Sequence, residues 1–150
     1  IAFEDGTKLM LDDAGRDEVE AKIKGLIGTG KWFKLNVQQV AFFRVNYSEA
    51  QWKKLGEGAM LPGKLSTIDR LGLLSDAFAL GKAGYIPVTT PLELVRTFGD
   101  IEELDEFVVW QELAEQLGSM AGLYKDEPFF PKFKAFMAGL FKKRGELLGW

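Results

Sequence analysis

Two arginines are the side chains in this sequence best placed to bind an anion. Arg44 and Arg70 each stand beside apolar positions, and a partly enclosed guanidinium can hold a carboxylate through two parallel hydrogen bonds. A peptide carboxylate and a structural aspartate would both satisfy that geometry. Since structural pairs are the more common use of such an arginine, we expect an ion pair within the fold for both residues.

An acidic segment, DIEELDE at residues 100–106, is the second candidate for chemistry. Clustered carboxylates can bind a hard cation, but this segment lacks the Asp-x-Asp-x-Asp-Gly spacing of a calcium loop. Acidic side chains also interact favourably with the dipole at the start of a helix. We therefore expect a solvated helix start here, and solvated cations near a helix end for the basic run at residues 142–144.

The absence of histidine and cysteine excludes most catalytic sites. The 150-residue sequence contains neither residue, so it cannot supply a Ser-His-Asp triad, a thiolate nucleophile or a histidine-ligated zinc site. Chemistry that uses carboxylates alone is still open. The lack of cysteine also fits a reducing compartment, and we expect a cytoplasmic location.

Composition argues against two classes of partner. The formal net charge of -3 offers no basic surface for nucleic acid, whose binding depends on the release of counterions. The longest apolar runs fall well below the ~20 residues that cross a bilayer. We therefore expect neither a nucleic-acid partner nor a membrane partner.

The first third of the chain is predicted to form antiparallel strands. Apolar and polar residues alternate in WFKLNV and AFFRVNY, which predicts half-buried strands over residues 33–37 and 41–47. Residues 7–13 are interpreted as a further strand. Residues 18–26 are interpreted as a strand or, because of their Glu and Lys content, as a helix.

Helical signals begin in the middle of the chain. Three residues with capping side chains are each followed, three positions later, by Gln, Asp or Glu, which is typical of a helix start: Ser48, Ser66 and Thr90. The second of these helices should be buried on most sides, because one of its stripes is apolar: Ile68, Leu71, Leu74 and Phe78. It should end near Gly84, because glycine commonly terminates a helix. Further helices are expected over residues 105–124 and 131–148. The predicted fold class is α+β, a strand module followed by a helical array.

An ordered set of motifs resembles the C-terminal region of the gluzincin zinc aminopeptidases, the family that includes puromycin-sensitive aminopeptidase. The motifs are WFKLN, FRVNY, DR, DAFALGKAG and VVW, in that order, across residues 32–117. Each piece alone is weak, whereas the ordered set is specific. The residues that carry the resemblance are Trp32, Lys34, Leu35, Asn36, Arg44, Val45, Tyr47, Asp69, Arg70, Asp76, Phe78, Leu80, Gly84, Val109 and Trp110.

Two residues depart from the family pattern. Ala41 stands where the family has glycine, and Phe43 where it has tyrosine. The alanine alters the turn if that position requires a positive φ, and the phenylalanine removes a hydroxyl that can form a hydrogen bond.

The resemblance implies a fold of two parts. Residues 1–47 would form a small antiparallel β-sandwich, and residues 48–150 the first helices of an all-α domain, an α-α superhelix of HEAT-like type. In the family the concave face of that domain closes over the active site. The change from strand alternation to capped helices at Ser48 falls where the resemblance places the junction.

The resemblance also implies that catalysis takes place outside this sequence. Family enzymes hold zinc with an H-E-x-x-H pair and a distant glutamate, and a Gly-x-Met-x-Asn loop binds the substrate's amino end; this sequence contains neither motif. The chain would be a non-catalytic fragment without a cofactor, and its parent a zinc enzyme that removes N-terminal amino acids from peptides. Its implied partners are the catalytic domain of the same polypeptide, which it braces, and the peptide substrate, whose cavity it partly walls. Arg70 is the candidate for a residue that faces that cavity.

Two other functions are kept as alternatives. A freestanding helical-repeat scaffold would bind a protein partner through its aromatic C-terminal helices, although no clear fixed-period repeat is visible. A small independent hydrolase that uses carboxylates is the third possibility.

Overall fold

The computed structural model describes residues 1–10, 15–27, 29–61, 63–99, 107–147 and 149. In chain order its strands and α-helices are β1 (Ala2–Phe3), α1 (Arg16–Leu26), β2 (Phe33–Lys34), α2 (Glu49–Lys54), α3 (Thr67–Lys82), α4 (Thr89–Gly99), α5 (Phe107–Tyr124) and α6 (Phe130–Leu147). A 3-10 turn, Val37–Gln39, follows β2, and a π-helical turn, Leu55–Ala59, continues α2. This mixture agrees with the predicted α+β class.

The sheet formed by the described residues is antiparallel and has two strands. β1 pairs with β2 so that Ala2 lies opposite Lys34 and Phe3 opposite Phe33. Pairing stops after Lys34 because Asn36 adopts a left-handed conformation with φ 50°, which a strand does not accommodate. The predicted strand over residues 33–37 is therefore cut short, and the described residues do not confirm a sandwich.

Two other segments predicted as strands have different conformations. Residues 18–26 belong to α1, so the helical alternative is correct and the strand is wrong. The charges of α1 suit the helix dipole, with acidic residues in its first turn and Lys24 in its last. Residues 41–47 pair with no other strand in the described part of the chain, because a side chain from α3 binds the backbone there, as described below.

Two predictions fall partly or wholly outside the described residues. Residues 11–13 of the strand predicted over residues 7–13 lie outside the described residues. Within its described part, Lys8 forms an isolated antiparallel bridge to Ala2. The acidic segment at residues 100–106 lies entirely outside the described residues.

Serine side chains cap two of the helices as predicted. Ser48 accepts a hydrogen bond from the backbone N–H of Gln51 at 3.3 Å, and Ser66 accepts one from the backbone N–H of Asp69 at 3.2 Å. The third predicted cap, Thr90, lies inside α4, which begins one residue earlier at Thr89. The N–H of Thr90 donates to the carbonyl of Pro87 at 3.0 Å, so the first turn closes before the predicted cap.

Helix α3 lies at the centre of the fold, between the loop that follows β2 and helices α4 and α5. Leu73, Leu74 and Ala77 are buried in the core, and the helix ends at Lys82, ahead of Gly84 with φ 76°. Both features were predicted. Ile68 departs from the predicted apolar stripe, since half of its surface is exposed.

Helices α4, α5 and α6 complete the core with apolar side chains. Val95 and Phe98 of α4 and Leu113 and Leu117 of α5 are completely buried, and Leu140 of α6 packs against the same cluster. The helices predicted over residues 105–124 and 131–148 are thus present as α5 and α6. The end of α5 at Tyr124 and the start of α6 at Phe130, both within the described residues, agree with the predictions within one residue. The described residues do not confirm a HEAT-like superhelix.

Candidate functional site

The residues between β2 and the extended segment before α2 form an irregular turn, called here the 35–43 loop. Asn36, Gln38 and Gln39 have φ angles of 50°, 62° and 52°, a left-handed conformation that costs a residue other than glycine about 1–3 kcal/mol. Ala41 is not among the residues with positive φ, so this turn does not require the glycine of the family pattern. A loop with this much backbone strain needs partners that hold it.

A buried ion pair connects the base of the loop to α3. The ammonium of Lys34 lies 3.0 Å from Oδ1 of Asp69, and both side chains are almost completely buried. The same ammonium donates to the carbonyls of Leu35 at 3.0 Å and Asn36 at 3.1 Å, so all three of its donors have acceptors. The pair therefore fixes two backbone carbonyls where the chain leaves β2.

Asp69 also holds the strained turn and the start of α3. Its Oδ1 accepts a hydrogen bond from the backbone N–H of Gln38 at 2.7 Å, and its Oδ2 accepts one from the hydroxyl of Ser66 at 2.8 Å. One carboxylate thus binds a lysine, a loop amide and a helix cap. Breaking a buried pair of this kind typically costs about 3–5 kcal/mol, because a charge is left without a partner.

A second carboxylate of α3 holds the chain after the loop. Asp76 accepts a hydrogen bond from the backbone N–H of Val45 at 3.0 Å and pairs with the guanidinium of Arg44 at 3.1 Å. The predicted structural ion pair of Arg44 is therefore present. Residues 41–47 pair with no strand among the described residues, and Asp76 supplies the acceptor that a neighbouring strand would have offered to Val45.

Tyr47 connects the two ends of this segment. Its hydroxyl accepts a hydrogen bond from the backbone N–H of Leu35 at 2.9 Å, and its ring packs edge-on against Trp52 of α2 at 5.0 Å between centroids. Burial raises the pKa of the Tyr47 hydroxyl well above its usual value, since an anion there would lose its hydration. The hydroxyl is thus a neutral structural group.

Arg70, the substrate-cavity candidate, is enclosed by the protein. It is buried, and its guanidinium donates to the carbonyls of Met60 at 3.3 Å and Leu61 at 3.1 Å. These bonds satisfy carbonyls at the end of the π-helical turn. A contact between Arg70 and a peptide stays a prediction.

The two tryptophans of the family pattern lie in different parts of the core. Trp32 is buried, and a Cβ at Gly58 would lie 2.7 Å from its ring, so a glycine is needed for the π-helical turn to approach it. Trp110 of α5 packs against Phe98 and Phe141, with ring centroids at 5.3 Å and 6.2 Å. The structure therefore does not bring Trp110 to the 35–43 loop.

The polar side chains around the loop bind its backbone. The carboxylates of Asp69 and Asp76 and the hydroxyl of Tyr47 all accept hydrogen bonds from backbone amides. Among the residues that the structure describes, no group of three or more His, Cys, Asp or Glu side chains could hold a metal ion. What the arrangement does chemically is to fix one irregular loop against one helix.

Sequence reasoning missed the central pair of this site. The alternation in WFKLNV predicted that Lys34 lies on the polar face of a strand, whereas the side chain is buried with Asp69. The available signal was that Lys34 and Asp69 both belong to the family motifs. Periodicity alone could not have paired them.

The charge on the loop's exposed side is low, and apolar side chains dominate there. Val40, Phe42 and Phe43 are exposed, and a groove of about 480 Å³ lies between the loop and the first three turns of α3. Because this surface is apolar, it suits a protein contact better than a polar ligand.

No helix in the described part of the chain is long and apolar enough to cross a membrane.

Comparison with known proteins assigns the chain to a family. The model of the ERAP1-like C-terminal domain matches residues 32–150, a match that starts ahead of the domain boundary predicted after Tyr47. The chain is 32% identical over 142 residues to aminopeptidase 2 of Candida albicans, covering 93% of this chain and 15% of the relative. It is 33% identical over 122 residues to the alanine/arginine aminopeptidase of Saccharomyces cerevisiae, covering 80% and 14%.

A third relative is an ectoenzyme. The chain is 36% identical over 89 residues to the human thyrotropin-releasing hormone-degrading ectoenzyme, covering 59% of this chain and 8% of the relative. The chain thus spans less than one-sixth of the length of each of these curated relatives. No solved structure matches it. On the family match over residues 32–150, the chain belongs to the ERAP1-like C-terminal domain family, and the resemblance to the C-terminal region of the aminopeptidases is confirmed.

Proposed function

We propose that this chain is the non-catalytic C-terminal part of an aminopeptidase, where it braces the catalytic domain and forms part of the wall of the substrate cavity. The family match over residues 32–150 carries the proposal. Two of the relatives named above are called aminopeptidases, and most of their length lies outside the matched region. That length is sufficient for a catalytic domain.

The chain's own residues support a bracing role. Its buried charged side chains bind its own backbone: Asp69 holds the 35–43 loop and the start of α3, and Arg70 holds the end of the π-helical turn. Its sequence has no histidine and no cysteine, so it does not fit the zinc site that the resemblance implies. The zinc and the removal of N-terminal amino acids belong, in this proposal, to the catalytic domain, and no step of that reaction is assigned to this chain.

Several finer expectations belong to the same proposal. They are a β-sandwich over residues 1–47, the first part of a HEAT-like α-α superhelix over residues 48–150, and a cytoplasmic location.

Activity measurements on two proteins test the proposal. One is the 150-residue chain, and the other is the polypeptide from the same gene with its upstream region included. We expect the longer protein to release N-terminal amino acids from peptides and the chain alone to release none at equal concentration. Activity of the chain alone would support the independent hydrolase instead, and a gene without an upstream peptidase region would support the freestanding scaffold.

Arg70 provides a test of the cavity wall. If its guanidinium attracts a peptide's C-terminal carboxylate, Arg70→Ala in the longer protein raises KM for free peptides far more than KM for short aminoacyl amides. Thermal unfolding of the same variant measures the effect of losing the bonds to Met60 and Leu61. Equal changes in both KM values would reject the cavity role and leave the structural one.

A further inference from the structure

The 35–43 loop carries an apolar tip that no described part of the chain covers. Val40, Phe42 and Phe43 are 86%, 110% and 56% exposed. The groove beside the tip is lined by Ile68 and Leu71 of α3, and Ile68 is itself half exposed. A projecting ring next to an apolar hollow forms one continuous surface, which we call the loop–α3 surface, and surfaces of this kind mark protein contacts.

The fold holds this tip in place. The side-chain amide of Asn36 donates to the carbonyl of Ala41 at 2.8 Å, and its carbonyl accepts from the N–H of Ala41 at 2.9 Å, so the loop is closed across its base. The carboxylate of Asp69 in α3 accepts a hydrogen bond from the backbone N–H of Gln38. Gly72 gives the Gln39 side chain room to lie on α3, because a Cβ there would collide with the amide of Gln39.

A rigid apolar tip on a strained loop is typical of a surface that binds a partner. Left-handed conformations at three residues, none of them glycine, cost free energy, and such strain is found at sites of recognition and function. Here the surrounding bonds hold the tip out into solvent instead of letting its rings fold onto the groove. This arrangement lowers the entropy lost when a partner binds.

We propose that the loop–α3 surface docks on the part of the same polypeptide that precedes Ile1, with Phe42 inserted into an apolar pocket there. This inference rests on the proposed function. The amino end of the chain lies at the base of the loop, since Ala2 pairs with Lys34. A domain joined at that end would start beside the surface, and the relatives are long enough to contain one.

Charge on the loop–α3 surface adds a requirement on the partner. Arg44 lines the groove, and about half of its side chain is exposed although it pairs with Asp76. The pocket that receives Phe42 should therefore carry a carboxylate or a backbone carbonyl at its rim, within reach of this guanidinium.

The absence of cysteine from the chain makes thiol labelling a direct test. Phe42→Cys places the chain's single thiol at the tip, and Tyr85→Cys is the matched control, because Tyr85 is an exposed aromatic residue just beyond the end of α3. Each variant is made in the 150-residue chain and in the longer protein. The rate of alkylation at each position is followed by mass spectrometry of the labelled peptide, since a thiol excluded from solvent reacts slowly.

We expect both thiols to react at similar rates in the chain alone. In the longer protein we expect the rate at position 42 to fall by at least about tenfold and the rate at position 85 to change much less. Val40→Cys should behave like Phe42→Cys and replaces it if that variant does not fold. Thermal unfolding of each chain variant verifies folding.

The other outcomes each overturn the inference. An active aminopeptidase in which position 42 reacts as fast as in the chain alone would reject the docking surface and leave the proposed function intact. Equal protection at positions 42 and 85 would show general shielding. Protection in the chain alone that grows with concentration would identify a second copy as the occupant. A gene without an upstream peptidase region would overturn both proposals together.

Discussion

The contact between the 35–43 loop and α3, and the bundle of α4, α5 and α6, both have buried interiors, yet different groups stabilise them. At the loop, the buried side chains include charged ones, Lys34, Asp69 and Asp76, and their partners are backbone amides and carbonyls. In the bundle, completely buried side chains such as Phe98 and Leu117 are apolar. Helices satisfy their own backbone, whereas an irregular loop cannot.

This difference indicates what each region demands of its residues. A side chain that binds a backbone amide in place of a backbone carbonyl must keep its charge, length and direction. Few other residues could therefore replace Asp69. A side chain that fills apolar space must keep approximately its volume and shape. The residues that carry the family resemblance around the loop are therefore those whose chemistry is specified, and substitutions in the two regions should have different consequences.

The largest expected effect is at the buried ion pair. Asp69→Asn keeps the shape of the side chain but leaves the buried ammonium of Lys34 without its counterion, so we expect a loss of about 3–5 kcal/mol of unfolding free energy. Urea denaturation of the chain measures it. Asp126→Asn, the same change at an exposed position, is the control and should cost less than about 0.5 kcal/mol. Similar values for the two variants would mean that the loop does not depend on this pair.

The bundle should show the opposite tolerance to a change that keeps shape. Leu117→Met in the core of α5 should cost less than about 1.5 kcal/mol, whereas Leu117→Ala should cost about 2–5 kcal/mol because it leaves a cavity. Urea denaturation again gives both values. If Leu117→Met destabilised the chain as much as Asp69→Asn, the distinction between the two regions would be lost.

Tyr47→Phe should have a smaller effect that depends on pH. At neutral pH the variant leaves the amide of Leu35 without its acceptor, at a cost of about 1–3 kcal/mol. The pKa of Tyr47 is raised in the fold, so the unfolded chain releases this proton first as pH rises past about 10, and the wild type then loses stability that the variant does not lose. The difference between the two proteins should shrink from pH 8 to pH 11 in chemical denaturation. A constant difference would show that the hydroxyl titrates as it does in the unfolded chain.

The smallest expected effects compare two helical glycines. Gly118→Ala in α5 meets open space and should raise stability by about 0.5–1 kcal/mol, the usual gain in helix propensity. Gly72→Ala in α3 offers the same gain, but its methyl group collides with the amide of Gln39, so we expect no net stabilisation. The Tm of each variant relative to the wild type, measured by thermal unfolding, compares the two substitutions. An equal rise in Tm for both would mean that Gln39 moves aside without cost to the loop.

Local sequence signals predicted the helical half of the fold well. The caps at Ser48 and Ser66 and the apolar stripe of α3 depend on residues three or four positions apart, which a local pattern contains. The helix start predicted from a cap at Thr90 was two residues late, since α4 begins at Thr89. Strand predictions were less accurate. The alternation in residues 41–47 predicted the buried side of Val45 and Tyr47, but it also placed Phe43 on that face, where it is exposed, and it could not indicate which group binds the backbone.

The candidate site was predicted only as a set of residues. The family motifs named Lys34, Asp69, Arg44 and Asp76 without indicating how they pair. Gln38 and Asp69 are 31 residues apart in sequence, as are Val45 and Asp76. No local period spans such a distance, so neither bond could be predicted from spacing.

The sequence by itself determined the α+β class, the positions of the helices, the absence of histidine and cysteine chemistry, and the family resemblance. Each of these depends on residue type or on short-range order. Only the tertiary structure decided that Lys34 is buried, that carboxylates of α3 hold the 35–43 loop, and that Phe42 projects into solvent at its tip. Those features depend on which distant groups become neighbours, and a buried backbone group accepts whichever partner the packing of α3 supplies.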